Sequence, residues 1–372
     1  MRFSFSATNT ALHPEDDEAM VEAEVAQALL ADQLGFDMVK FGERHFSGYG
    51  VANPLQLLAA VAPRLSHAWV GTGITVAPDH HPVRLAEMIN ILDHLARGKA
   101  LVGIGSGMST ADALAFGFDS VTQKKAMLAE CLDALEALWA KRPEDPPVTI
   151  ETSHYRGTLL ERISPTPWRK PRPHLKISAS NDQSIARAVR NGWPVYLGPG
   201  DAEQERASFE RYRQSLLSAG HDQAVIDHCL GWTSAVTLGL HIAETDEQAR
   251  EEARWLMAPT REWAARKQVA DAASEKIQGL GANQAGLRHV SGEPDEAFWD
   301  RFVFHGSPET IARRVREFER LGVGLFQVAF VGQTDPQRRA LGEKALRLFA
   351  SEVMPQFGDA EAASVRAESI AR

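Results

Sequence analysis

Short runs rich in β-branched and aromatic residues alternate along the chain with longer stretches whose apolar residues recur every three to four positions. The first pattern suits strands buried on both faces, the second helices with one apolar stripe, and the alternation predicts βα units around a parallel sheet. Strands are expected near residues 2–8, 37–42, 69–76, 100–105, 174–179, 194–198, 230–240 and 325–331, each followed by a helical pattern. Eight strands are enough to close a ring, so the expected architecture is α/β, a (β/α)8 TIM barrel with insertions. An open doubly wound sheet is the alternative, but no strand–turn–helix carries a dinucleotide fingerprint with an acidic residue at the right distance.

Punctuation residues sharpen the boundaries. Pro54 and Pro82 lie just inside two helix starts, Ser307-Pro308-Glu309 reads as cap, first turn and acidic complement to the helix dipole, and Gly35, Gly192 and Gly322 read as stops. Three stretches interrupt the repeat. Residues 141–173 hold Pro143, Pro146, Pro147, Pro165, Pro167, Pro171 and Pro173, which exclude a helix or an inner strand and mark an insertion before the fifth strand. Residues 268–300, with Gly279, Gly281, Gly286 and Gly292, suit a mobile excursion that is either a lid or an inert surface loop. The acidic, Ala-rich end past Phe357 reads as a flexible tail, 358–372, leaving 1–357 as one barrel domain.

Composition narrows the function classes. Across 372 residues, 44% hydrophobic and 24% charged, there is material for a large core. A net charge of −9 without a Lys/Arg cluster argues against nucleic acid. No segment reaches the run of apolar residues that a membrane span needs, and the start has no basic leader with an apolar core, so a cytoplasmic location is expected. Cys131 and Cys229 each sit in an apolar-periodic stretch and read as buried reduced thiols.

In a barrel, chemistry collects at the C-terminal ends of the strands. The second strand ends in Phe41-Gly42-Glu43-Arg44-His45-Phe46-Ser47, which makes Glu43, Arg44 and His45 the catalytic candidates, with a salt-bridged rim as the bland alternative. The third ends in Gly71-Thr72-Gly73-Ile74, where glycine permits close approach of a backbone or a flat ligand. Gly105-Ser106-Gly107 after the fourth strand, and Ser180, Asn181 and Ser184 at the helix start after the fifth, offer N–H and hydroxyl donors to an anion. His80-His81 lacks partners at ligand spacing, and no metal is expected there.

Several blocks recur in order: Gly35-Phe36-Asp37 leading to Glu43-Arg44-His45-Phe46; Asn53-Pro54; Val70-Gly71-Thr72; His81-Pro82-Val83-Arg84-Leu85-Ala86-Glu87 with Leu92-Asp93; Ile226-Asp227-His228-Cys229-Leu230; and Val353-Met354-Pro355. As a set they resemble the bacterial-luciferase-like flavin-dependent monooxygenases, from Met1 to Phe357. The resemblance implies a two-component enzyme that takes reduced FMN (FMNH2) from a separate NAD(P)H-dependent flavin reductase. With O2, through a flavin peroxide, it would insert one oxygen atom into a small organic substrate. It further implies a homodimer, for which residues 53–66 and 82–96 are the expected interface. A cis peptide at Gly73-Ile74 is expected under the flavin ring, with Thr72 and Gly105 beside it and phosphate at Ser106, Gly107, Ser180, Asn181 and Ser184.

This chain departs from luciferase in three places. Ser106 replaces an arginine, Gly105 replaces a reactive cysteine and is expected to leave more room over the ring, and Arg44 replaces the histidine that acts as base. Light emission is therefore not expected. Arg44 stays charged at neutral pH and suits an anionic substrate or a negative flavin peroxide, while His45 is the candidate acid/base. The alternatives are a deazaflavin (F420)-dependent oxidoreductase on the same barrel, or a non-catalytic flavin-binding protein.

Overall fold

A computed structural model describes residues 1–46, 48–178, 181–199, 202–278, 302–331 and 334–358. Its strands are β1 (Arg2–Thr8), β2 (Met38–Phe41), β3 (Trp69–Val76), β4 (Ala100–Gly105), β5 (Val148–Glu151), β6 (Arg156–Leu159), β7 (His174–Ser178), β8 (Val195–Pro199), β9 (Ser234–Val236), β10 (Gly239–Ile242), β11 (Val303–Gly306) and β12 (Leu325–Val331). Eight of them, in the order β1-β2-β3-β4-β7-β8-β9-β12, form a parallel ring, and β12 closes it against β1 from Arg2↔Leu325 to Thr8↔Val331. The (β/α)8 barrel expected from the sequence is the observed fold.

Alternation along each strand sorts side chains between two environments. Phe3, Phe5, Val39, Phe41, Val102, Ile104, Leu175, Ile177, Phe326 and Val328 belong to the large core between ring and helices. The residues between them turn into the ring. At its N-terminal end Met38, Leu101, Trp232 and Leu325 pack with Trp69 as a separate apolar plug. Helix boundaries follow the expected punctuation: Asn53, Ser307 and His81 accept from backbone N–H groups at helix starts, and Gly192 (φ 64°) and Gly322 (φ 92°) end helices in the left-handed conformation.

Three expectations need correction. The run 230–240 is not one strand: the helix Gln223–Trp232 runs on through Trp232, and the strand then breaks between β9 and β10. Leu230 and Trp232 extend the stripe of Ile226 and Cys229, and apolar density alone does not separate a helix end from a strand start. Second, β10 leaves the ring, touching β12 at Leu240↔Phe330, and pairs with β11, which the sequence pattern missed. Third, residues 268–278 are not loop but the end of the helix Ala258–Gln278. The remainder of the expected excursion, 279–300, and the tail from 359 lie outside the described residues.

The proline-rich insertion carries the antiparallel hairpin β5–β6, away from the ring. Its later part packs on the helix Pro82–Leu95: Asn90 Nδ2 donates to Pro165 O (2.6 Å), His94 Nε2 to Thr166 O (2.8 Å), and Arg169 N to Asp93 Oδ2 (2.8 Å). Part of the face expected to meet a second copy is thus covered within the chain, while Ile91 and Leu95 stay exposed. Both cysteines are buried and unpaired, and burial pushes their thiols up, Cys131 to about 12 and Cys229 to about 11. Among the described residues no helix is long and apolar enough to cross a membrane.

Candidate functional site

At the C-terminal end of the ring, residues of seven strands face one space: Ser6, Lys40, Gly73, Ser178, Tyr196, Val236 and Gln327. They line a cavity of about 330 Å³, within the size range of small-molecule sites. Its walls are completed by Glu24 from the helix Asp17–Gln33, by Gly42, Arg44, Tyr49 and Gly50 after β2, and by Thr237 and Leu238 after β9.

Glycine makes the room. A Cβ on Gly73 would collide with the Lys40 side chain, and one on Gly103 would meet the Tyr196 ring. Tyr196 therefore reaches across the ring and donates its hydroxyl to Thr72 O (2.6 Å), while the Thr72 hydroxyl is spent on Gly103 O (2.7 Å). The Gly73–Ile74 peptide is cis, as the resemblance implied. Gly105 does not open space, however: the place its side chain would take is filled by the Cδ1 of Ile74.

Two lysines point into the ring. Lys176 is saturated, donating to Trp232 O (2.6 Å) and Ser234 Oγ (2.7 Å) with its ammonium 4.0 Å from the Tyr196 ring centroid. Lys40 donates to Gln327 Oε1 and lies 5.1 Å from the same centroid, on the cavity side. Burial, and then the charge of Arg44, bring Lys40 down to about 7. Glu24 faces the same cavity. Its Oε1 accepts from Asn9 N (2.9 Å), its buried Oε2 has no hydrogen-bond partner, and burial raises its carboxyl to about 7.

Of the catalytic candidates only Arg44 borders the cavity; it donates to Glu43 O (3.0 Å). Glu43 is buried behind it. Its Oε2 accepts from Val76 N (2.9 Å) and its Oε1 pairs with His45 Nε2 (2.9 Å), with His80 Nε2 3.7 Å away. Burial pushes the Glu43 carboxyl up, but the hydrogen bonds from His45, His80 and Val76 outweigh it and hold the group below its ordinary range. His45 stacks edge-on against Phe116 (4.9 Å). Glu43, His45 and Asp79 come within 4.8 Å of one another, the composition of a metal site, yet the buried Lys124 ammonium already stands 2.8 Å from Asp79 as the local cation.

The phosphate candidates gather at the mouths of the paired strands β4 and β7, outside the cavity lining. Gly107 takes φ 70°, and the Ser106 hydroxyl donates to Gly107 O (3.3 Å). Asn181 caps the helix Asp182–Asn191, its Oδ1 accepting from Ser184 N (2.9 Å) and Ser184 Oγ (3.1 Å). Capping therefore accounts for both side chains, and Ser180 lies outside the described residues.

Sequence reasoning missed Glu24, Lys40, Tyr196 and Gln327. The signal was present for three of them: Lys40 and Gln327 are lone polar residues in apolar strands, and Glu24 falls on the buried stripe of Met20, Ala23, Gln27 and Ala31.

Comparison with known proteins agrees with this architecture. The family model for luciferase-like monooxygenases matches residues 1–324. The 4-hydroxyprotoasukamycin monooxygenase of Streptomyces nodosus subsp. asukaensis is 28% identical over 96% of this chain and 92% of its own length. Several other curated relatives are matched over only about half to three fifths of their length; among them, an alkanal monooxygenase alpha chain from the Kryptophanaron alfredi symbiont is 24% identical over 59% of this chain and 61% of that one. Among solved structures, monooxygenase RslO1 from Streptomyces bottropensis superposes with a TM-score of 0.76 at 22% identity, covering 96% of this chain and all (100%) of that one. At TM-score 0.65 stands the oxygenating constituent of 3,6-diketocamphane monooxygenase from Pseudomonas putida in complex with FMN (20% identical, 91% and 93% covered). At 0.64 stands the coenzyme F420-dependent tetrahydromethanopterin reductase of Methanopyrus kandleri (18% identical, 96% and 99% covered). With most of its length matched by the family model, this chain belongs to the luciferase-like monooxygenases.

Proposed function

We propose that the chain is the oxygenase component of a two-component system, taking reduced FMN from a separate NAD(P)H-dependent flavin reductase and inserting one atom of O2 into a small organic substrate. The observation that carries the reading is the cavity at the strand mouths, where flat glycine backbone at Gly42 and Gly73 faces the polar groups of Lys40, Gln327 and Glu24. A planar ring with a polar edge fits such a wall, and the unpartnered Glu24 Oε2 is the kind of atom that a bound ligand satisfies.

Bound there, reduced FMN would supply the electrons and the activation of O2, and the chain's part is to hold, orient and exclude water. Gly73 and Ile74 would carry the ring, and the turn at Ser106 and Gly107 with the helix start at Asn181 and Ser184 would take the phosphate on backbone N–H groups. Arg44 faces the reacting ligand as a fixed cation. Glu43, held ionised, takes the Nε2 hydrogen of His45 and leaves Nδ1 as the proton-accepting atom, for a ligand group that reaches past Arg44. A homodimer and a cytoplasmic location complete the proposal.

Titration with FMN and with F420, followed by cofactor fluorescence, tests the cofactor. Oxygen uptake with photoreduced FMN and candidate substrates then tests the chemistry. FMN is expected to bind and F420 not, with substrate-dependent oxygen use and no light from a long-chain aldehyde. Binding of F420 alone would replace the proposal by a deazaflavin hydride transfer, and FMN binding without product formation from any substrate by a carrier role.

A further inference from the structure

The mouth cavity is bordered by two basic side chains, Lys40 and Arg44, with no countercharge beside them among the described residues. Lys40 is 3% exposed and turned inward by strand alternation, and the missing side chain of Gly73 leaves space for its ammonium. Its hydrogen bond is to the neutral Gln327 amide, and Arg44 on the adjoining wall donates to a backbone carbonyl. Among the described residues no carboxylate stands within 4.0 Å of either. Lys176 shows what a purely structural lysine looks like in this ring: a carbonyl and a hydroxyl at 2.6 and 2.7 Å, an aromatic face, and no access to the cavity. Glu24, the one carboxyl lining the cavity among the described residues, is not in ion-pair distance of Lys40, and burial keeps it protonated through mildly acid pH. Lys40 is buried and Arg44 stands on the exposed rim of the same cavity; burial and the Arg44 charge together disfavour the charged Lys40 ammonium, and a bound anion between them would offset both.

We propose that Lys40 and Arg44 form an anion subsite, so that the molecule oxidised here is held through an anionic group such as a carboxylate or phenolate. The inference deepens the oxygenase reading and rests on it only for the word oxidised. The same delocalised negative charge can come from a second source, the ring of reduced flavin itself, which is an anion near neutral pH. Arg44 reads a planar anion with two parallel N–H groups, and Lys40 adds a point charge beneath.

The experiment uses the full chain and two pairs of probes. Benzoate and benzamide share shape and differ in charge; photoreduced and oxidised FMN share the tail and differ in ring charge. Each is titrated calorimetrically, without oxygen, into the wild type, Lys40→Met and Arg44→Met, with thermal unfolding as a check on the fold. For a substrate subsite, the wild type prefers benzoate to benzamide by about tenfold, and each variant removes most of that preference while benzamide binding stays within about twofold. If the flavin ring is the anion, the preference for reduced over oxidised FMN falls by about tenfold in the variants, and the benzoate pair shows no preference. If neither ratio exceeds unity in the wild type, or neither moves in folded variants, the subsite is overturned; Arg44, being exposed, gives a variant that folds even if Lys40→Met does not. Failure of FMN to bind in either state, with the benzoate preference intact, defeats the oxygenase reading and leaves the anion subsite standing.

Discussion

The two ends of the barrel solve opposite problems with the same alternating strands. At the N-terminal end the ring is filled: Trp69 lies 4.5 Å from Trp232 and 5.5 Å from His174, His174 stacks on His228 at 4.1 Å, and Arg2 covers the Trp232 ring at 4.9 Å. Burial first, then neighbouring positive charge, keep both histidines neutral, His174 at about 2 and His228 at about 4. At the C-terminal end glycines stand where the plug has large rings, and the space they leave is bordered by Lys40, Arg44 and Glu24. One end silences its histidines by packing; the other brings Lys40 and Glu24 to about 7 beside a cavity. The barrel rule assigns stability to the first end and, in the proposed function, binding to the second.

The largest test of that division is Trp232→Ala. Removing a buried indole from the plug should cost about 3–5 kcal/mol in denaturant unfolding, because its neighbours belong to several strands and cannot all collapse into the gap. FMN affinity, measured by fluorescence below the transition, should stay within about twofold. A parallel loss of affinity would show that the ends are coupled through the ring and that the division is wrong.

Glu24→Gln probes the other end and should do the opposite, since removing an ionisable group from the cavity wall stabilises the fold. The Glu24 carboxyl sits at about 7 in the folded chain against an ordinary value of 4.5. A raised value means that the wild type has its full stability below about 4.5 and loses it as pH climbs to about 7, where the buried group ionises at last. The variant lacks that loss. Wild type and variant should therefore unfold alike near pH 4, diverge between 4.5 and 7, and stay separated by about 3 kcal/mol above. Stability curves that run parallel from pH 4 to 8 would mean that Glu24 is ionised throughout and already has a partner.

The division between plug and mouth also explains what could be read from the chain. Patterns that packing enforces were legible: strand runs such as Trp69–Val76, caps at Asn53 and Ser307, stops at Gly192 and Gly322, and the ring they imply. The family blocks pointed to Arg44, Gly73 and Ile74, and these do meet at one cavity. Glu43 and His45 were visible as polar residues at a strand end, but nothing in their order shows that one is buried against the other while their neighbour Arg44 borders the cavity. Lys40, Gln327 and Glu24 come from β2, β12 and the first long helix, and only ring closure brings them together. The split of 230–240 escaped because helix end and strand are equally apolar, and Gly105 was misjudged because Ile74, from the preceding strand β3, fills its space.

The smallest expected effect decides whether the rim beyond the cavity belongs to the binding end at all. Asn181 accepts from Ser184 N and Oγ, which is ordinary capping, and Asn181→Ala should cost about 1 kcal/mol of stability for that reason alone. A structural cap has no reason to distinguish ligands. If the helix start also receives the flavin phosphate, its loosened first turn presents the free N–H groups less well, and affinity for FMN should fall several-fold while riboflavin, which has no phosphate, binds as before. Asp182 in the same turn competes for the positive end of the helix, so Asp182→Asn should shift FMN the other way and again leave riboflavin unmoved. Equal effects on the two flavins would take the phosphate away from this turn and leave Asn181 to the fold alone.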